Sequence, residues 1–278
     1  MAIMDGEKEP MLIRGAREIL LPLLILIAFN SLARFVPLHR TTPNNAVSSQ
    51  IMPRTVAWQQ PAPMDIGKDP HFRVLLENPH VRVFALTLPP HSESFVWQEY
   101  NYLTVTLVDS NVVMWKEQES PILHYRAPKG EIHFLAGASA HGIRNETNAE
   151  YRNVTIEFLD PGITNYGYRY ETGKYDFGPS GLDPPPVDPQ GHFVQALNLE
   201  RAEAKDIQLL PRESFPADQR SGLLVAVTPL HLAAGPQRAI SLNSGEVAWL
   251  DNLDAGLANN GASRARFALV EFKPTDKN

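Results

Sequence analysis

Residues Gly130 to Asn145 read GEIHFLAGASAHGIRN, and residues Gly245 to Asn259 read GEVAWLDNLDAGLAN. Each stretch opens on a glycine, runs through a short strand-like segment, turns, and closes on an asparagine. The first also carries a His-x-x-x-Asn, from His141 to Asn145. The two halves of the chain keep one order around these stretches. His71-Phe72 and the segment up to Pro89 answer to His192-Phe193 and the segment up to Pro211, with Leu-Glu at 76–77 set against Leu-Glu at 199–200. YLTVTL answers to GLLVAV at 222–227, and NVTIEF to FALVEF. Matched order over most of each half predicts an internal duplication of one structural unit.

That unit is all-β. FRVLL, VRVFALTL, YLTVTLV, NVVMW, EIHFL, HGIRN and YRNVTIEFL are short, rich in Val, Ile, Phe, Tyr and Thr, and punctuated at Pro89-Pro90, Pro128 to Gly130 and Pro161-Gly162. Strands at this spacing, with no helical stripe of comparable length, predict a sandwich or barrel. The domains are expected at 71–160 and 192–278, the second more degenerate. Between them, 161–191 reads as a Pro/Gly/Tyr-rich linker whose Tyr166, Tyr168, Tyr170 and Tyr175 pack it onto a domain. Residues 34–70, without periodicity and anchored only by Trp58, read as a linker or wrapping arm.

Composition narrows the chemistry. The chain is 43% hydrophobic and 20% charged, with a net charge of −6 and no basic cluster beyond its N-terminus, so nucleic acid is not an expected partner. It has no cysteine, which excludes disulfides, thiolate metal sites and a cysteine nucleophile. No GxSxG, P-loop or dinucleotide fingerprint occurs. At the N-terminus, Arg14 and Arg17 precede an apolar run from Ile19 to Phe29, followed by a small-x-small pair at Ser31 and Ala33. Residues 1–33 therefore read as a signal peptide cleaved after Ala33, or as an uncleaved membrane anchor over 14–33. The run is short for a bilayer span, which needs about 20 apolar residues. Either reading places the folded part in the periplasm or outside the cell.

The segments LPPHSESFVWQEYNYLTVTL and FLAGASAHGIRN resemble the motifs of the cupin superfamily, and the duplication makes the chain similar to a bicupin. The resemblance covers 71–160 and, less well, 192–274 and implies two double-stranded β-helix (jelly-roll) barrels in tandem, leaving the N-terminal hydrophobic helix outside it. In that family one motif supplies two histidines and a carboxylate, and the second supplies a third histidine. Together they hold Mn, Fe, Ni, Zn or Cu for oxygenase, isomerase or decarboxylase chemistry. Here His141 and Asn145 match the second motif. The His-x-His of the first motif is missing, with His91 at the place of its turn glycine and Gln98, Glu99, Tyr100, Asn101 and Tyr102 near the ligand positions. The second repeat has lost the histidine, Ala255-Gly256 standing where Ala140-His141 stand.

Three readings of the first barrel compete. His141 is a hydrogen-bonded relic, which a lining of Trp97, Leu103 and Phe134 would favour. It is instead part of a metal-free site in which His141, Glu99 and Tyr100 act as acid–base groups and Gln98, Tyr102 and Asn145 bind a small polar molecule. Or His141 and Glu99, with His133 or His91 completing the set, hold a divalent metal. Strand register decides which of residues 98–102 face inward, and a single sequence leaves it open. The expected function is an exported binding or structural module, monomeric or a homodimer, without a family-type metal site. The alternative is a cupin-type enzyme, metal-dependent or metal-free, using His141.

Overall fold

A computed structural model of the chain describes residues 62–116, 123–164, 190–216, 220–235 and 238–273, all within one unit, Ala57–Asn278. The signal-like segment 1–33, Trp58 and the four linker tyrosines lie outside the described residues. The first repeat contains β1 (Met64–Asp65), β2 (Phe72–Glu77), β3 (Val81–Leu88), β4 (Glu93–Gln98), β5 (Tyr102–Thr106), β6 (Ser110–Lys116), β7 (Leu123–Ala127), β8 (Ile132–Leu135), β9 (Ser139–Asn145) and β10 (Tyr151–Phe158). The second contains β11 (Phe193–Asn198), β12 (Ala202–Leu209), β13 (Ser214–Phe215), β14 (Gly222–Ala226), β15 (Leu230–Ala234), β16 (Arg238–Leu242), β17 (Val247–Leu250), β18 (Leu257–Asn259) and β19 (Ala265–Phe272).

The strands form two sheets per repeat. In the first the orders are β2-β3-β10-β5-β8 and β1-β4-β9-β6-β7; in the second they are β11-β12-β19-β14-β17 and β13-β18-β15-β16. Each repeat thus interleaves its strands in the double Greek key of a jelly roll. The fold is the double-stranded β-helix of the cupins, present twice. Among the described residues no helix is long and apolar enough to cross a membrane.

Three details of the sequence reading change. Leu76 pairs with Val83 and Leu197 with Ala204, so Leu76-Glu77 answers to Leu197-Asn198, two residues before the Leu-Glu at 199–200. The arm also ends earlier than Pro70. Met64-Asp65 pair in parallel with Val96-Trp97, and Ile66 is buried against Phe84 and Val96. At the other boundary, Ile163 joins the core and Thr164 donates its hydroxyl to Glu200 at 2.7 Å, so 161–164 pack on the second barrel.

The largest core lies between the barrels. Val83, Leu103, Val105, Phe134, Val154, Ile156 and Phe158 of the first pack against Ala204, Leu223, Val225, Ala268 and Val270 of the second. Strands β3, β5, β8 and β10 are consequently buried on both faces. One parity faces the partner barrel. The other, including Arg82, Phe84, Tyr102, Thr104, Thr106, Glu131, His133, Asn153, Thr155 and Glu157, faces the barrel interior. In the second barrel the interior parity is mostly apolar, with Ile207, Leu209, Leu224, Leu232, Leu257, Phe267 and Leu269 packed together and Lys205 paired with Glu203 and Glu271 beside them.

The interface carries the duplication in its details. Gly130 and Gly245, both at φ +87, open the two matched stretches. The guanidinium of Arg266 lies where a Cβ on Gly130 would stand, and that of Arg152 lies beside Gly245. Arg152 and Arg266 occupy the same place in their repeats, on the closing strand of each unit and seven residues after Asn145 and Asn259, so the contact recurs about a pseudo-two-fold axis. Arg266 is rigid there, buried and bonded to Asp206 through Nε at 3.1 Å and Nη2 at 2.7 Å. Arg152 is half-exposed and donates to the Ser244 carbonyl at 3.1 Å. Gly130→Ala should therefore cost about 3 kcal/mol, from positive φ plus a clash with a guanidinium that cannot yield, and Gly245→Ala about 1–2 kcal/mol. Urea denaturation of the two variants gives the ranking.

Candidate functional site

The interior of the first barrel is built from both of its sheets. On β9, His141 lies between Val96 of β4 and Lys116 of β6, with its ring edge-on to Tyr102 at 5.8 Å. The neighbouring Gly142 faces the other way, and the Trp115 indole covers it so closely that a Cβ would overlap the ring. Glycine at this point lets β9 present an imidazole inward while a tryptophan lies flat on its outer face. On β8, His133 pairs with Thr104 and meets Tyr125 edge-on at 6.2 Å. Ile132 and Phe134, of opposite parity, enter the inter-barrel core.

Gln98, Tyr102, His133 and His141 are all buried and share this interior. Glu99 and Tyr100 do not join them: Glu99 is exposed and Tyr100 half-buried, because the inward parity of β4 is Ser94, Val96 and Gln98 and the strand ends there. Asn145 is also not a ligand residue. Its Nδ2 donates to the carbonyls of Leu88, Pro89 and Ala149 at 3.1, 3.2 and 2.7 Å, and its Oδ1 accepts from Thr147. Asn259 repeats this, donating to Leu209 and Ser263 and accepting from Gly261. Each asparagine ties the end of its β9- or β18-strand to the neighbouring sheet. Counting back four from each places Ala255, not Gly256, at the position of His141. Trp97 faces outward at 42% exposure, and Leu103 and Phe134 face the second barrel, so none of the three lines the interior.

The residues assembled here do not fit the family's metal. No inward position of β4 is a histidine, Glu99 points to solvent, and His91 is an exposed turn residue at φ 57 bonded to Asn148 at 2.9 Å. Among the described residues no group of three or more His, Asp or Glu is placed to hold a metal ion. The proposed trio of His141, Glu99 and His133 is therefore not brought together.

What the interior holds instead is a polar network that the sequence did not announce. Tyr125 bonds the buried Glu131. Asn153 donates to the Tyr151 hydroxyl at 3.1 Å and accepts from Thr155 at 3.2 Å. Arg82 holds one carboxylate oxygen of the fully buried Glu157, at 2.8 Å from Nε and 2.7 Å from Nη2. The even spacing of Glu131, His133 and Leu135, and of Asn153, Thr155 and Glu157, was the signal that would have found them. Five buried atoms of this interior lack any partner: Gln98 Oε1, Ser110 Oγ, His133 Nε2, His141 Nδ1 and Glu157 Oε1.

Burial sets the protonation. It holds the His133 imidazole down at about 4. It does the same to His141, at about 4, helped by the Lys116 charge and opposed by the Ala136 carbonyl. Both rings are neutral at pH 7. Burial pushes Glu131 up to about 7, against the pull of the Tyr125 hydrogen bond. Glu157 is likewise raised by burial, against the pull of Arg82.

No family model matches the chain, and no curated protein matches its sequence. Among solved structures it is similar to a cupin domain from Bordetella pertussis Tohama I, at 18% identity and a TM-score of 0.30 over 36% of this chain and 98% of that one. It is similar to AerE from Microcystis aeruginosa, at 11% and 0.49 over 73% and 97%. A third similarity is to the oxalate decarboxylase of Lactobacillus farciminis, at 13% and 0.46 over 70% and 78%. The fold itself is defined by the chain's own strand order, which is that of a tandem pair of cupin barrels.

The shifts predict opposed pH limbs. Between pH 6.5 and 4 the unfolded chain binds more protons at His133 and His141 than the folded one, so stability falls on acidification, by about 3 kcal/mol per histidine. Between pH 4.5 and 7 the folded chain binds more at Glu131, so stability falls as pH rises, by a similar amount. Denaturant titrations at a series of pH values should show His133→Gln flattening the acid limb and Glu131→Gln removing the opposing one.

Proposed function

We propose that this chain is an exported bicupin-type binding module whose first barrel takes a small polar molecule without a metal, and whose second barrel is structural. One observation supports the reading above the others. An unpartnered buried polar atom costs about 1–3 kcal/mol, and native proteins tolerate few. The first interior contains five, contributed by both sheets, while the second, mostly a packed apolar core, contains one, Glu271 Oε1. A bound molecule that completes those hydrogen bonds offsets the cost. The N-terminal segment 1–33 directs the chain out of the cytoplasm, as a cleaved signal or as an anchor over 14–33, so the barrels act in the periplasm or beyond.

A second reading, a metal-free acid–base enzyme, is favoured by one feature. Glu131 sits near pH 7 in its protonation, and the neutral His141 is able to accept a proton, so the interior holds groups suited to proton transfer. Glu131 rather than Glu99 is then the carboxyl that works with the histidines.

The metal claim is tested directly. The purified chain, stripped with a chelator and offered Mn, Fe, Ni, Zn and Cu in turn, should retain well under one equivalent of each after desalting. One tightly held metal per chain overturns the reading.

A further inference from the structure

Glu157 is the least expected member of the first interior, and its geometry is specific. Both donors of Arg82 fall on Oε2, leaving Oε1 free although the residue is 0% exposed. Glu157 stands directly opposite Tyr102 on β5, and Tyr102 lies edge-on to His141. Gln98, of inward parity, precedes Tyr102 by one turn of chain and pairs with Ser139. The free oxygen of Glu157 thus belongs to the same end of the barrel as the free atoms of Gln98 and His141.

The hydrogen-bonding sense of those atoms follows from their partners. His141 Nε2 lies 2.6 Å from Ser139 Oγ, whose hydroxyl donates to the Ala136 and Gly137 carbonyls at 3.4 and 3.5 Å. A carbonyl can only accept, so the Ser139 proton is directed to those carbonyls, Nε2 donates its own proton to Oγ, and Nδ1 presents a bare lone pair. Gln98 Oε1 and Glu157 Oε1 are acceptors as well. Three acceptors at one end of a buried interior call for a ligand that donates. A carboxylate or phosphate would place lone pairs against lone pairs. A cation would meet Lys116, whose charge is already felt at His141, while the charge of Glu157 is already met by Arg82.

We infer that the first barrel takes a neutral, hydroxyl-rich ligand, and that Glu157, oriented by Arg82, is a hydrogen-bond acceptor for its hydroxyl groups. This rests on the reading of the first barrel as a ligand site. It goes further in assigning Glu157 and in excluding carboxylates, although oxalate decarboxylases are among the proteins of similar fold.

The test uses the full chain and isothermal titration with D-glucose, myo-inositol and glycerol as neutral polyols, formate and oxalate as carboxylates, and putrescine as a cation. A polyol should bind, and the carboxylates and putrescine should not. In Glu157→Gln, Arg82 keeps the amide oxygen, so the NH₂ takes the place of Oε1 and an acceptor becomes a donor. Polyol affinity should then fall about 10- to 100-fold. Glu271→Gln is the control. Glu271 occupies the same place in the second barrel, bonded to Lys205 with its Oε1 also unpartnered, and its loss should leave affinity unchanged. Should Glu157→Gln fail to fold, Gln98→Leu carries the same expectation of weakened polyol binding. Binding of formate or oxalate in place of every polyol overturns the ligand class but leaves the first barrel a binding site. Equal polyol affinity in Glu157→Gln overturns the role of Glu157 alone. If no probe binds and the denatured chain releases no small molecule, both the inference and the reading beneath it fail.

Discussion

The face-to-face packing of β3, β5, β8 and β10 on their counterparts β12, β14, β17 and β19 is the constraint on which the rest depends. A single jelly roll has one apolar interior to hold it together. Here the largest core is outside both barrels and between them, so the hydrophobic drive for the first barrel comes largely from its outer face. The interior of that barrel is released from the duty of being apolar. It carries two neutral histidines, two buried glutamates, an arginine and a lysine, which an isolated barrel of this size could hardly bury and remain folded.

The second barrel shows the complementary outcome. It donates the same sheet face to the shared core and fills its own interior with leucine, isoleucine and phenylalanine. It keeps a polar remnant at the position of Glu157, where Lys205 bonds Glu271 and also meets Glu203, the residue at the position of Arg82. The division of labour is physical rather than nominal. One barrel supplies a surface and rigidity, and the other holds the polar interior that this support makes tolerable. Asparagine fastens both units alike, Asn145 and Asn259 joining a strand end to the facing sheet through the same set of carbonyls. This explains why the closing asparagine persists in the second repeat after the histidine has gone.

Much of the architecture was legible because duplication writes each structural demand twice. Gly130 and Gly245 recur because a φ of +87 is required at both places and an arginine from the opposite barrel lies against each. The short Val- and Thr-rich runs and their Pro/Gly punctuation marked the strands correctly. The site was less legible. VRVFALTL and YRNVTIEF alternate, and alternation ordinarily separates core from solvent. In this chain it separates one buried environment from another, so Asn153, Thr155 and Glu157 line the barrel interior rather than meet solvent. Glu99 and Tyr100 drew attention because they stand where a motif expects ligands, but β4 ends at Gln98 with the opposite parity inward.

The sequence alone determined that the chain is two copies of one all-β unit, where the turns fall, and that only one copy keeps a histidine in the closing motif. These follow from local backbone demands and from repetition, both of which a linear string records. Tertiary structure decided which parity of each strand faces the interior, and hence that Glu131, Tyr125, Lys116, Arg82 and Glu157 accompany His133 and His141 while Glu99 does not. That choice depends on which face the partner barrel covers, a contact between residues more than a hundred positions apart that no local pattern encodes.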